Sequence, residues 1–132
     1  MEFLLDLQLK GIYFQTLKAK NGRNFRFVPM PINLKEQSAW AFLVEYVERY
    51  HTTRLFPSGR QLHNILEEAC RKVGMPWYHL HAWRHLFKSW HVERGTQREV
   101  VEKMMGHTLP GTEEVYTHLT DEFIAERGRM RE

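Results

Sequence analysis

The sequence predicts a mainly α-helical chain with a small antiparallel β-hairpin or sheet at its N-terminus, an α+β arrangement. Two observations carry that expectation. The short runs IYFQTL and FRFVPM, rich in aromatic and branched residues, flank Asn21-Gly22, whose tolerance of positive φ makes it a strong short-range hairpin signal. From Leu34 onward, apolar residues recur at three- and four-residue spacing in segments separated by glycine and proline, the pattern of successive amphipathic helices.

The elements follow in order. At 132 residues the chain is long enough for one domain with a real core and short for two. It divides into a β-hairpin over residues 1–31, a helical part over 32–120 and a tail helix over 121–132. After the Pro29 to Pro31 break, the segment 34–50 sets Trp40, Leu43, Val44 and Val47 on one helical face, read as core. Ser58 is the expected N-cap of a helix from about Arg60 to Val73, with Gly74 as its stop and Pro76 beyond. The next helix carries Leu80, Trp83, Leu86, Phe87 and Trp90 as a buried stripe and leaves His81, Arg84 and Lys88 on adjoining positions. Gly95 ends it. Thr96 is expected to cap a helix whose Val100, Val101, Met104 and Met105 enter the core, and Gly106 stops that one. Thr112 caps a short helix bearing Tyr116, and Asp121 caps the tail, anchored by Phe123 and Ile124.

Composition narrows the function classes. The chain is 42% hydrophobic and 27% charged, as globular proteins are, and its net charge of +3 suits a nucleic-acid partner. With Cys70 as the single cysteine, no intramolecular disulfide can form, which points to a reducing, intracellular setting; Cys70 reads as a small buried hydrophobe on a helix. No apolar run approaches the roughly 18 residues that span a bilayer, and MEFLLDLQL, interrupted by Asp6 and lacking a basic start, is not a signal peptide. His81 and His85 stand at i, i+4, a zinc-like spacing, but no acid lies between them at the metalloprotease position and no neighbouring ligands complete a site. No metal or other cofactor is expected.

The chemistry concentrates between His81 and Tyr116. His81 and Arg84, three apart, share a helical face and can meet one ligand. His107 follows Gly106 directly, and Tyr116 lies in VYTHL. Arginine supplies a permanently charged fork for phosphate oxygens, histidine moves protons near neutrality, and tyrosine is a covalent nucleophile. Such a set suits attack on a phosphodiester. Lys18, Lys20, Arg23 and Arg26 cluster on or beside the hairpin turn and form a basic tip.

The motif H-x-x-R-H (His81, Arg84, His85), the pair Gly106-His107 and the run Tyr116-Thr117-His118 stand in an order and at separations that resemble the tyrosine recombinase, or phage integrase, family. The likeness covers nearly all of the chain but only the later part of the family's catalytic domain. It implies that fold and site-specific DNA recombination, integration or excision, by strand cleavage and rejoining through a 3′-phosphotyrosyl intermediate. In that scheme Tyr116 is the nucleophile, Arg84 and His107 donate to the equatorial phosphate oxygens, and His81 assists proton transfer. The family's catalytic lysine on a β-hairpin falls on Lys20, with Lys18 the alternative because the register of the turn is open; it protonates the departing 5′ alkoxide. Lys18, Arg23, Arg26 and Lys88 are the further DNA contacts. His85 is expected to face a backbone carbonyl, and His79, His91 and His118 to lie on the surface or behind the site.

Double-stranded DNA is the implied partner, the setting cytoplasmic and nucleoid-associated, and the tail either docks on a neighbouring protomer of a homo-oligomer, covers its own core or frays. One departure stands out. The family carries another arginine on a helix upstream of the hairpin, and no arginine precedes Arg23 here, so the chain by itself is expected to bind DNA weakly and cleave poorly. Two other readings share these residues: type IB topoisomerase-like cleavage, and a DNA-binding or oligomerisation remnant without catalysis.

Overall fold

A computed structural model of the chain describes residues 3–15, 25–32, 39–51, 54–56, 58–106, 116 and 118–130. The Asn21-Gly22 turn and the Thr112 cap lie outside them. Strands β1 (Phe3–Asp6), β2 (Gly11–Gln15) and β3 (Phe25–Pro29) form an antiparallel sheet in the order β1-β2-β3. The β1–β2 turn is held by Asp6, whose Oδ1 accepts from the backbone N–H of Gln8 at 3.0 Å and Leu9 at 2.8 Å, a local bond that favours turns over regular structure. At Gly11 a Cβ would lie 2.3 Å from the Phe27 ring, so only glycine lets that ring cross β2.

Register divides the sheet into two apolar faces. Tyr13 pairs with Phe27 on one; Phe3 pairs with Phe14 and Leu5 with Ile12 on the other. Because successive side chains alternate, each face needs its own cover. Helix α1 (Ala39–Tyr50) provides one, packing buried Trp40 and Leu43 with Ile12. The other face joins the main core, where Phe27 meets Val100, Met104, Tyr116, Leu119, Ile124 and Ala125.

Four more helices follow among the described residues: α2 (Gly59–Val73), α3 (Leu80–Glu93), α4 (Arg98–Met105) and α5 (Asp121–Gly128). Helix α2 begins as expected. Ser58 Oγ accepts from Gln61 N, the Gln61 side chain returns to Ser58 N, and Gly74 ends the helix at φ 74°. All four expected core residues of α4 are buried. Helix α5 seats Ile124, 0% exposed, beside α4. A Cβ on Gly128 would lie 2.6 Å from Met104 Sδ, so the glycine sets how closely the two helices approach. The tail covers its own core and is tied down further by Arg129, which donates to the backbone oxygens of Lys10 at 3.0 Å, Met30 at 2.8 Å and Leu9. Among the described residues no helix is long and apolar enough to cross a membrane.

Some local expectations are corrected. Thr120, not Asp121, caps α5: its backbone is extended and its hydroxyl accepts from Phe123 N, while the Asp121 carboxylate accepts from Tyr13 Oη at 2.9 Å. Gln97 precedes α4 in place of Thr96, whose Oγ1 instead lies 2.9 Å from His91 Nδ1. The α3 stripe is covered only in part, with Leu86 52% exposed. His91 is not a surface residue. It is 0% exposed, edge-on to Phe87 and Trp90, and its Nε2 is buried without a partner.

Burial, reinforced by the Arg94 charge, pushes the His91 imidazole below its ordinary value. Its folded pKa therefore lies under the unfolded value of about 6.5, so the stability it contributes is present above that pH and is lost as pH falls. Urea unfolding at pH 7.5 and 5.5 should show this acid loss, and His91→Gln should flatten it; an unchanged slope would refute the assignment. Tyr13, which also donates to Asp6 Oδ2 at 3.3 Å, is pushed the other way, well above the usual phenol range, by burial and then by Asp121. Its contribution is present below about pH 10 and declines as pH rises past that point, and Tyr13→Phe should cost about 1 to 2 kcal/mol at neutral pH while shrinking the alkaline loss.

Candidate active site at the end of helix α4

The carbonyls of a helix's last turn have no partner within the helix, and they form the negative end of its dipole. In α4 the chain leaves through Gly106 at φ 75°, whose N–H turns back to the Glu102 and Lys103 oxygens. Met105 O accepts instead from two side chains: Arg84 Nη2 of α3 at 2.7 Å and Arg26 Nη1 of β3 at 2.7 Å. A Cβ at Gly106 would lie 2.8 Å from Arg26 Nη1, so the glycine serves both the left-handed turn and the close approach of the guanidinium. Arg26 pairs in register with Phe14, on the α1 side of the sheet. Among the described strands β3 lies at the edge of the sheet, and the long Arg26 side chain reaches from it to α4.

Two cations on one neutral oxygen repel each other. Burial first, and then the Arg84 charge, push the Arg26 guanidinium below its ordinary value, although it stays charged. Its Nε is buried with no hydrogen-bond partner.

The phenol is fixed on the same helix. Tyr116, helical in backbone and 6% exposed, donates to Glu102 Oε2 at 2.5 Å. Glu102 Oε1 accepts from Arg98 Nε at 2.8 Å. The Tyr116 bond, then the Arg98 bond, hold the Glu102 carboxyl below the usual carboxylate range, with the Lys88 charge contributing. Glu102 lies three residues before Met105, about 4.5 Å along the helix axis. One turn of α4 thus anchors both a tyrosine hydroxyl and a pair of guanidiniums, a juxtaposition able to bind an oxyanion and present a nucleophile to it.

The remaining candidates divide. His81 opens α3, exposed, its ring edge-on to that of His85 at 4.8 Å. The expected structural role of His85 against a backbone carbonyl is corrected, since it too is exposed and its ring meets His81. Lys88 is exposed on α3 toward Glu102. Lys18, Lys20, Arg23 and His107 lie outside the described residues. Glu102 escaped the sequence reading. Its i, i+4 pairing with Arg98 is visible in REVVEKMMG, but nothing local links it to Tyr116.

The phage integrase family model matches residues 6–122. The chain is 25% identical over 141 residues to Tyrosine recombinase XerD of Chlamydia pneumoniae, covering 94% of this chain and 45% of that protein. It is 25% identical over 138 residues to Tyrosine recombinase XerA of Pyrococcus furiosus, covering 93% and 46%. With Tyrosine recombinase XerD of Caulobacter vibrioides it shares 30% identity over 93 residues, 69% of this chain and 28% of that one. The chain spans a little under half the length of the first two relatives. No solved structure gives a significant match.

The Tyr116–Glu102 contact can be measured. A double-mutant cycle with Tyr116→Phe and Glu102→Ala, read by denaturant unfolding, should give a coupling of about 1.5 to 3 kcal/mol, as befits a charge-assisted, part-buried bond. Additive effects would mean that the bond contributes nothing to the folded state.

Proposed function

The chain belongs to the phage integrase family, and from that premise we propose that it is a partial catalytic domain, residues 1–132, of a DNA strand transferase acting in site-specific recombination. The observation that carries the proposal is the anchoring of Arg84 and Tyr116 one turn apart on α4. The relatives' shared name, tyrosine recombinase, supports recombination over supercoil relaxation or binding alone.

The reaction follows from the side chains. Tyr116 leaves Glu102 and attacks phosphorus; a bond from its phenolic oxygen to phosphorus forms as the bond to the 5′ oxygen breaks. His81 assists removal of the phenolic proton. Attack builds negative charge on the equatorial oxygens, which preorganised donors stabilise; Arg84 and His107 have that part. The departing alkoxide is a poor leaving group until protonated, the task of Lys20, with Lys18 the alternative. The product is a 3′-phosphotyrosyl link that retains the phosphodiester energy, so the 5′ hydroxyl of a second strand reverses the step. This scheme calls for no metal or nucleotide.

Lys18, Arg23, Arg26 and Lys88 contact the phosphate backbone of double-stranded DNA, placing the protein at the nucleoid. Assembly on DNA as a homo-oligomer uses the outer face of the tail, where Glu122, Glu126 and Arg127 are exposed.

Nicked suicide DNA carrying the recombination site tests this reading. The wild-type chain should form a covalent adduct that Tyr116→Phe abolishes, and Arg84→Ala should slow it on the order of a hundredfold or more. An adduct that persists in Tyr116→Phe would reject the nucleophile assignment, and no adduct from wild type would reject strand transfer by this chain.

A further inference from the structure

We propose that the DNA phosphate met by Arg26 is the reacting one, which makes Arg26 a second guanidinium beside Arg84 at that phosphate's own site. The inference rests on the strand-transfer reading for the identity of the phosphate, but its physical basis is independent of it. A helix C-terminus carries only about half a negative charge. Met105 O nevertheless takes two guanidiniums, each at 2.7 Å, which brings Arg26 and Arg84 side by side. An oxyanion bound there is attracted by both, and the attraction grows as charge builds on phosphorus during attack.

Arg26 also has a donor to spare. Its Nη1 is spent on Met105 O, whereas Nε is buried and unpartnered, an arrangement that costs about 1 to 3 kcal/mol when left unsatisfied. Nε has no exposed surface at rest, and a phosphate oxygen that displaces the atoms covering it removes that cost, in the side-on geometry that suits guanidinium and phosphate. Strand pairing holds β3 at Phe14, and the missing Cβ of Gly106 leaves the guanidinium against the turn that precedes His107.

The full chain is titrated with inorganic phosphate while arginine Nε–Hε NMR signals, assigned with Arg26→Lys and Arg84→Lys, are followed. Both signals should move with one dissociation constant, and Arg26→Lys, which keeps the charge but loses the Nε donor, should weaken phosphate binding about tenfold while unfolding as cooperatively as wild type. An Arg84 signal that moves while Arg26 stays still, no movement of either, or unaltered binding by Arg26→Lys would each overturn the proposal. In the suicide-DNA assay Arg26→Lys should slow cleavage of the ordinary phosphodiester at least about tenfold and hardly affect a methylphosphonate at the same position, which lacks the negative oxygen. Equal slowing on both substrates would mean that Arg26 only shapes the turn, and would overturn it. Expected phosphate binding without any wild-type Tyr116 adduct would instead reject strand transfer and leave the anion site standing.

Discussion

The arrangement of this protein depends on a single backbone oxygen, that of Met105 at the end of α4. Inside a helix it would be taken by the residue four positions on, but the left-handed turn at Gly106 releases it. Released, it draws in Arg84 from α3 and Arg26 from the sheet. One acceptor therefore ties three elements, β3, α3 and α4. The register of α4 matters for the same reason: Glu102, one turn earlier, holds Tyr116, so sliding the helix would part the phenol from the arginines.

That register is set by packing. Val100 at 0% exposure and Met104 at 2% lock one side of α4 into the main core, and Gly128 lets α5 close over it. Tyr116 belongs to the same cluster, its ring among Phe27, Leu119 and Ile124 and its hydroxyl on a carboxylate. The aromatic body is stabilised by burial and the polar tip by a charge-assisted bond, so the phenol is held firmly at rest. On the proposed mechanism, DNA must supply contacts that offset the loss of the Glu102 bond as Tyr116 moves onto phosphorus, and a pair of guanidiniums one turn away is a source of them.

Local pattern and folded outcome part company at identifiable places. The Ser58 N-cap and the glycine stops at Gly74 and Gly106 were legible because capping is a matter of adjacent residues, whereas the reciprocal bond from Gln61 came with the structure. Thr120 and Asp121 were not separable that way. Both residue types cap helices, and the choice fell to Thr120 once the Asp121 carboxylate met Tyr13 across the fold. Thr96 went the same way, its hydroxyl taken by buried His91. The exposed Leu86 shows the limit of periodicity, which names an apolar face without saying how much of it a neighbour covers.

By itself the sequence determined the chemistry available and the local elements that carry it: a hairpin, helices with their stops, His81 and Arg84 on one helical face, and the buried side of α4. These follow from spacing, cap chemistry and the need to bury apolar stripes, all encoded within a few residues. Only the tertiary structure decided that Arg26 and Arg84 share one oxygen, that Tyr116 rests on Glu102, and that Tyr13 reaches Asp121. Those contacts join residues 79, 21, 14 and 108 positions apart. Their partners are chosen by strand register and by how helices pack over the two faces of the sheet, and no local periodicity specifies either.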